Sequence, residues 1–246
     1  MTARVAVWSG PRNISTALMR AWENRPDTAV VDEPLYSHYL DRTGLDHPAR
    51  EQVIAAGDPD WQAVAAQLTR GDLRTPDGEP AGVYYQKHMT HHLLPRMSLD
   101  WVLELSNVLL LRDPREVIAS YVRSRASVNL DDIGLPQQVM LFDYLTDAGR
   151  TPPVIDSADF LRAPETYLRW WCDWLAVPFE PSMLRWPPGP RSSDGVWAPY
   201  WYAAVEASTG FEPYRQRAVN LTGVPAAVAV SAQPLYERLA AHRMVL

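Results

Sequence analysis

The chain has 246 residues, 47% of them hydrophobic and 21% charged, which suits one folded domain spanning residues 1–246. A net charge of -6 argues against nucleic acid as a partner, and no run of eighteen uncharged apolar residues is present to cross a membrane. The first residues, MTARVAVWSG, enter a strand pattern and not a signal-peptide pattern, and the single cysteine, Cys172, has no partner for an intramolecular disulfide; both predict a cytoplasmic protein with a buried, inert thiol.

In chain order, Val5–Trp8 reads as a buried strand and Ser15–Asn24 as the helix after it. Thr28–Asp32 is a second strand. Asp60–Arg70 is helical, with Asp58 or Asp60 as its cap. Gly71–Gly82 is a turn-rich loop, Val83–Lys87 a third strand, Leu99–Leu105 helical and Asn107–Leu111 a fourth strand. Pro114–Arg125 opens a helix on proline, which suits a first helical position. Pro136–Ala148 is a helix, Val154–Asp156 a short strand and Pro164–Ala176 a helix in which Trp170 and Trp174 form a core stripe. Trp197–Ser208 and Pro225–His242 complete the helices. Apolar strands alternating with helices predict an α/β fold: three layers, α/β/α, around a central parallel sheet. Ligands in such folds bind at the carboxyl ends of the strands. The residues to inspect are therefore those just after each strand.

After the first strand, Ser9, Gly10, Pro11, Arg12, Asn13, Ile14, Ser15 and Thr16 lead directly into a helix. Backbone N–H groups at a helix start, two hydroxyls and a guanidinium suit a phosphate. The stretch lacks the lysine and second glycine of the Walker loop. A plain strand–helix turn with a serine cap fits the same residues.

The stretch NVLLLRDPREVIASYVRSR repeats the pattern: a buried strand, Arg112, a turn, a helix, and Ser120 two turns in. With these two motifs the sequence resembles the sulfotransferase family that uses 3'-phosphoadenosine 5'-phosphosulfate (PAPS). That family has a P-[KR]-S-G-T-T loop for the 5'-phosphosulfate and R-[DN]-P-x-[DE]-x-x-x-S for the 3'-phosphate. A third segment, SADFLRAPETYLRWWCDWLAVPF, is similar to a later family stretch, so the resemblance runs from about Val5 to Phe179. It implies a P-loop-like fold, with Arg12, Asn13, Ile14, Ser15 and Thr16 at the 5'-phosphosulfate and Arg112 and Ser120 at the 3'-phosphate. Asn13 and Ile14 replace the usual Ser and Gly, and Ile14 calls for a negative φ where glycine would be free. The family's R-K-G triplet is missing near the C-terminus, and Arg191 is the substitute considered for it.

Sulfuryl transfer is an in-line displacement that needs positioning, charge stabilisation and a general base. A sulfuryl group carries less charge than a terminal phosphoryl group, so the reading includes no metal. Two bases are open. Glu33, after the second strand in VVDEPLY, matches the E-P-L segment of carbohydrate-type members, with Asp32 beside it to orient it. His88, in YYQKHMTHHLLP, stands near the histidine of cytosolic-type members, with Lys87 as a sulfate or acceptor contact. On an alternating strand Lys87 and His88 point to opposite faces, so both serve only if the strand has ended. His88, His91 and His92 have no carboxylate or cysteine near them in sequence and are read as capping or surface groups, not metal ligands. Trp197, Tyr200 and Trp201 are candidates for an acceptor-pocket wall or lid.

The function expected is sulfuryl transfer from PAPS to a small-molecule hydroxyl, less readily an amine, with a homodimer left open. The rivals are a small-molecule kinase on the same fold, which would need a loop lysine and a metal-binding carboxylate, and a nucleotide-binding protein without turnover.

Overall fold

The computed structural model describes residues 2–125, 127–216 and 218–246. Five strands form one all-parallel sheet in the order β2–β3–β1–β4–β5: β1 (Ala3–Ser9), β2 (Thr28–Asp32), β3 (Val83–Met89), β4 (Ser106–Leu111) and β5 (Val154–Asp156). The strands read as apolar runs because both faces are covered. Alternation sorts their side chains. Val5, Val7, Tyr85, Val108 and Leu110 pack on one face with Leu18, Trp22 and Trp171; Ala6, Trp8, Tyr84, Leu109 and Leu111 pack on the other with Leu68, Leu141 and Leu239.

The helices are α1 (Ser15–Glu23), α2 (Tyr36–Thr43), α3 (Arg50–Ala56), α4 (Trp61–Arg70), α5 (Pro114–Tyr121), α6 (Leu135–Asp147), α7 (Ser157–Arg162), α8 (Pro164–Trp174), α9 (Ala198–Trp201), α10 (Ala203–Glu206) and α11 (Gly223–Ala240). Asp60 caps α4, accepting from Gln62 N at 2.9 Å, and Asp113 caps α5, accepting from Arg115 N at 2.8 Å. The Leu99–Leu105 segment is a 3-10 turn over Asp100–Glu104. The proline-led helix stops at Tyr121, four residues short of the expected Arg125.

Two further expectations are corrected. Trp174 is 40% exposed, and the tryptophan fully buried on α8 is Trp171. Trp170 and Trp174 stack on each other with ring centroids 5.8 Å apart, near the surface and not as a core stripe. The single helix expected over Trp197–Ser208 is two short ones, broken at Tyr202. Cys172 is buried, and burial pushes its thiol up to about 11. Among the described residues, no helix is long and apolar enough to cross a membrane.

The chain leaves β1 for β2 on one side and reaches β4 on the other. The carboxyl ends of β1 and β4 therefore flank the point where strand order reverses, the crevice favoured for ligands in open parallel sheets.

Candidate active site

A cleft of ≈ 860 Å³ runs along the carboxyl edge of the sheet. The β1 loop forms its floor. Gly10 is required there by close approach: a Cβ on it would lie 2.2 Å from the carbonyl oxygen of Ile133. The residue held in the left-handed region is Arg12, at φ 57, while Ile14 sits at φ -85. Arg12 thus carries backbone strain on the order of 1–3 kcal/mol, while Ile14, standing where the family has Gly, needs no left-handed backbone. Asn13 ties the loop down, donating from Nδ2 to Leu110 O at 3.1 Å and accepting from Ile14 N at 2.8 Å. Among the described residues no side chain caps α1, so its first-turn N–H groups, with Ser15 and Thr16 on the cleft wall, remain available to an anion. The start of α5 differs, being already capped by Asp113.

Above this loop the arginines converge. Arg12 Nε donates to Ser120 Oγ at 2.9 Å. Arg112 Nη1 donates to the carbonyl oxygen of Arg12 at 2.7 Å, and Arg112 pairs with Glu116 at 2.9 Å. Burial, then the nearby charges of Arg112 and Arg123, lower the pKa of Arg12. A half-buried guanidinium among like charges favours an anionic ligand.

At the β2–β3 end stands the glutamate. Glu33 follows β2 directly and has a left-handed backbone, φ 44. Lys87, opposite Asp32 in the sheet register, donates from Nζ to Asp32 Oδ1 at 2.8 Å, to Glu33 Oε1 at 2.5 Å and to Tyr202 Oη at 2.9 Å. Burial raises the pKa of Glu33 despite the opposing pull of Lys87. Lys87 in turn is held well above the ordinary lysine value: desolvation works against its charge, but Asp32 and Glu33 outweigh it.

The cleft brings together Arg12, Asn13, Ile14, Ser15, Thr16, Glu33, Lys87, Arg112 and Ser120. It does not include His88 or Arg191. β3 continues to Met89, so Lys87 and His88 do point to opposite faces. His88 lies in the core, its ring stacked on Trp8 with centroids 4.0 Å apart and Nε2 3.2 Å from Gln86 Oε1, and burial pushes it down to about 3. It is a neutral core residue, out of reach of an acceptor. Arg191 lies 3.9 Å from Glu23, at the far end of α1 from the loop after β1. Eight residues of helix separate Glu23 from Ser15, about 12 Å. Its loop is latched there by Arg20–Asp194 at 2.6 Å and by Ser193 donating to Glu23.

The aromatic candidates divide. Trp201 lines the cleft, Tyr200 is 54% exposed, and Trp197 is buried with Nε1 donating to Tyr202 Oη at 3.1 Å. The sequence reading did not single out Tyr202, Arg123, Tyr36 or His47, and it read His91 and His92 as capping or surface groups, whereas His92 is 1% exposed; Tyr36, His47, His91 and His92 stand together at the Glu33 end of the cleft. Tyr36 donates to His47 Nδ1 at 2.8 Å if that nitrogen is the unprotonated one, and stacks on His92 with centroids 4.8 Å apart. Burial holds His47 at about 4 and His91 at about 3, so at neutral pH these imidazoles add no positive charge to that of Lys87 and the bordering Arg125. The His91 and His92 spacing was visible in sequence; the partner Tyr36, from the undetected α2, was not.

The family described as a sulfotransferase domain matches residues 3–242. Two Arabidopsis thaliana proteins named branched-chain-amino-acid aminotransferase-like protein 1 and 2 are also similar. The first is 37% identical over 204 residues, 83% of this chain and 36% of its own length; the second is 31% identical over 240 residues, 97% and 41%. The chain thus spans about two fifths of these curated relatives. Among solved structures, the sulfotransferase domain from the Synechococcus PCC 7002 olefin synthase superposes with a TM-score of 0.59 at 19% identity, covering 98% of this chain and 96% of that one. The sulfotransferase domain from the curacin biosynthetic pathway gives 0.54 at 18%, covering 95% and 98%. At these identities the likeness is one of fold.

Proposed function

Since the chain belongs to the sulfotransferase-domain family, we propose that it moves the sulfuryl group of PAPS to a hydroxyl, less readily an amine, of a small-molecule acceptor. The observation that carries the reading is the placement of the Arg12–Arg112–Ser120 group and the uncapped start of α1 in one cleft with Glu33. The 3'-phosphate lies against Arg112 and Ser120, and the 5'-phosphosulfate against Arg12, Asn13 to Thr16 and the α1 N–H groups. The acceptor lies toward Glu33 and the Tyr36–His92 wall. Residues 1–246 act as one domain in this account.

In the transfer, the acceptor oxygen attacks sulfur while the bond from sulfur to the phosphate oxygen breaks in line. Glu33 takes the acceptor's proton, and the charge left on the departing phosphate meets the α1 N–H groups and Arg12. A glutamate whose pKa is raised by burial is a stronger base than an exposed one, which suits the role. The kinase alternative asks for a lysine in the phosphate loop; the one lysine of the chain is Lys87, at the other end of the cleft. The test is release of 3'-phosphoadenosine 5'-phosphate (PAP) from PAPS in a screen of hydroxyl acceptors. Glu33→Gln should lower kcat by about 10²–10⁴ and leave PAP affinity within twofold. Unchanged turnover in Glu33→Gln removes Glu33 as the base.

A further inference from the structure

Lys87 is the only lysine in the chain, and its side chain is 1% exposed. An ammonium has three N–H donors, and the three bonds to Asp32, Glu33 and Tyr202 use them all. None remains for a sulfate oxygen. The role expected of Lys87 from sequence, a sulfate or acceptor contact, is replaced by that of an anchor between two carboxylates. Tyr202 closes the group. Its O–H donates to Asp32 Oδ2 at 2.7 Å, while its oxygen accepts from Lys87 and from Trp197 Nε1.

The members are not held equally. Asp32 and Lys87 face each other in the β2–β3 register, and Glu33, the residue just after β2, donates its backbone N–H to Lys87 O at 2.9 Å, so the sheet and its edge place these three. Tyr202 comes from outside the sheet, 170 residues after Asp32, at the break between α9 and α10. Without its phenol, Asp32 Oδ2 keeps, among the described residues, only the Gly195 N–H at 3.3 Å. One buried N–H of Lys87 loses its acceptor, and the ammonium is drawn toward the under-satisfied Asp32 and away from Glu33.

We propose that Tyr202 is a positioning residue for the transfer: by bonding both Asp32 and Lys87 it holds the ammonium against Oε1 of Glu33, which leaves Oε2 as the oxygen that takes the acceptor's proton. The inference rests on Glu33 as the base, but the network can be read without turnover. Protein labelled with 15N-lysine gives one side-chain ammonium resonance, that of Lys87. In Tyr202→Phe that resonance should shift and its protons exchange faster. kcat should fall about tenfold or more, as for loss of a hydrogen bond to a charged group, with PAP affinity within twofold of wild type. Trp197→Phe, which removes the N–H that Tyr202 accepts along with part of a buried ring packed on Tyr36, leaves the Tyr202 bonds to Asp32 and Lys87 in place and should shift the resonance less and in the same direction; it serves if Tyr202→Phe folds poorly. An unmoved Lys87 resonance overturns the inference whatever the turnover, and so does a kcat loss matched by an equal loss of PAP affinity. A wild-type protein that transfers nothing while its Lys87 resonance still responds to Tyr202→Phe overturns the transferase reading instead and supports the network assignment, so the two failures are distinct.

Discussion

Arg112→Ala should weaken PAP selectively. The Arg112 guanidinium has five N–H donors. Nε and one N–H of Nη2 go to Glu116, and one of Nη1 goes to the Arg12 carbonyl, leaving two for a ligand. One charge-assisted bond to the 3'-phosphate is worth about 1.5–3 kcal/mol, or about 10- to 150-fold in Kd. AMP lacks the 3'-phosphate and should lose less than about twofold. Calorimetric titration of wild type and Arg112→Ala with both nucleotides gives the coupling directly. Arg191→Ala, outside the cleft, is the control and should change neither affinity. Glu116 keeps its bond from Tyr214 at 3.0 Å in the variant, so the protein should remain folded. Equal losses for PAP and AMP, or no loss, would refute the assignment of Arg112 to the 3'-phosphate.

Gly10→Ala should abolish PAP binding and lower the melting temperature, because its Cβ meets backbone at 2.2 Å and the phosphate loop must move; retained affinity in a titration would show the loop to be tolerant. Acid should destabilise the protein from about pH 6.5 downward. His88 and His91 sit at about 3 and His47 at about 4, below their unfolded value of 6.5, so the unfolded chain binds protons that the folded one excludes. The stability they contribute is present above pH 6.5 and is lost as pH falls toward the folded values, at up to about 1.4 kcal/mol per pH unit for each histidine. Urea unfolding at pH 5 to 6.5 should show a slope smaller by about one proton in His88→Gln; an identical slope would mean His88 is not buried neutral.

The sheet was legible because its strands are short apolar runs between turn residues, and the loop after β1 because the helix follows it at once. The opposition of Lys87 and His88 was legible from strand alternation alone. The helices α2 and α3 were not: neither has a side-chain cap, α3 starts from Ala49 at φ 59, and α2 is largely polar. Their loss hid Tyr36 and with it the Tyr36–His92 wall of the cleft. Tyr202 was illegible for a different reason, since nothing local marks a tyrosine that meets Asp32 from 170 residues away. Arg191 was sought as a replacement for the family triplet, but the local chemistry of its loop, with Ser193 and Asp194 reaching Glu23 and Arg20, fastens it to the back of α1.

The most direct test of the account is titration of the wild-type protein with PAP, beside ATP and AMP, first without metal and then with Mg²⁺. The account predicts tight, metal-independent binding of PAP and binding of ATP and AMP that is weaker by at least the 10- to 150-fold set by one charge-assisted bond. Absence of PAP binding, or a Mg²⁺-dependent preference for ATP, would contradict it.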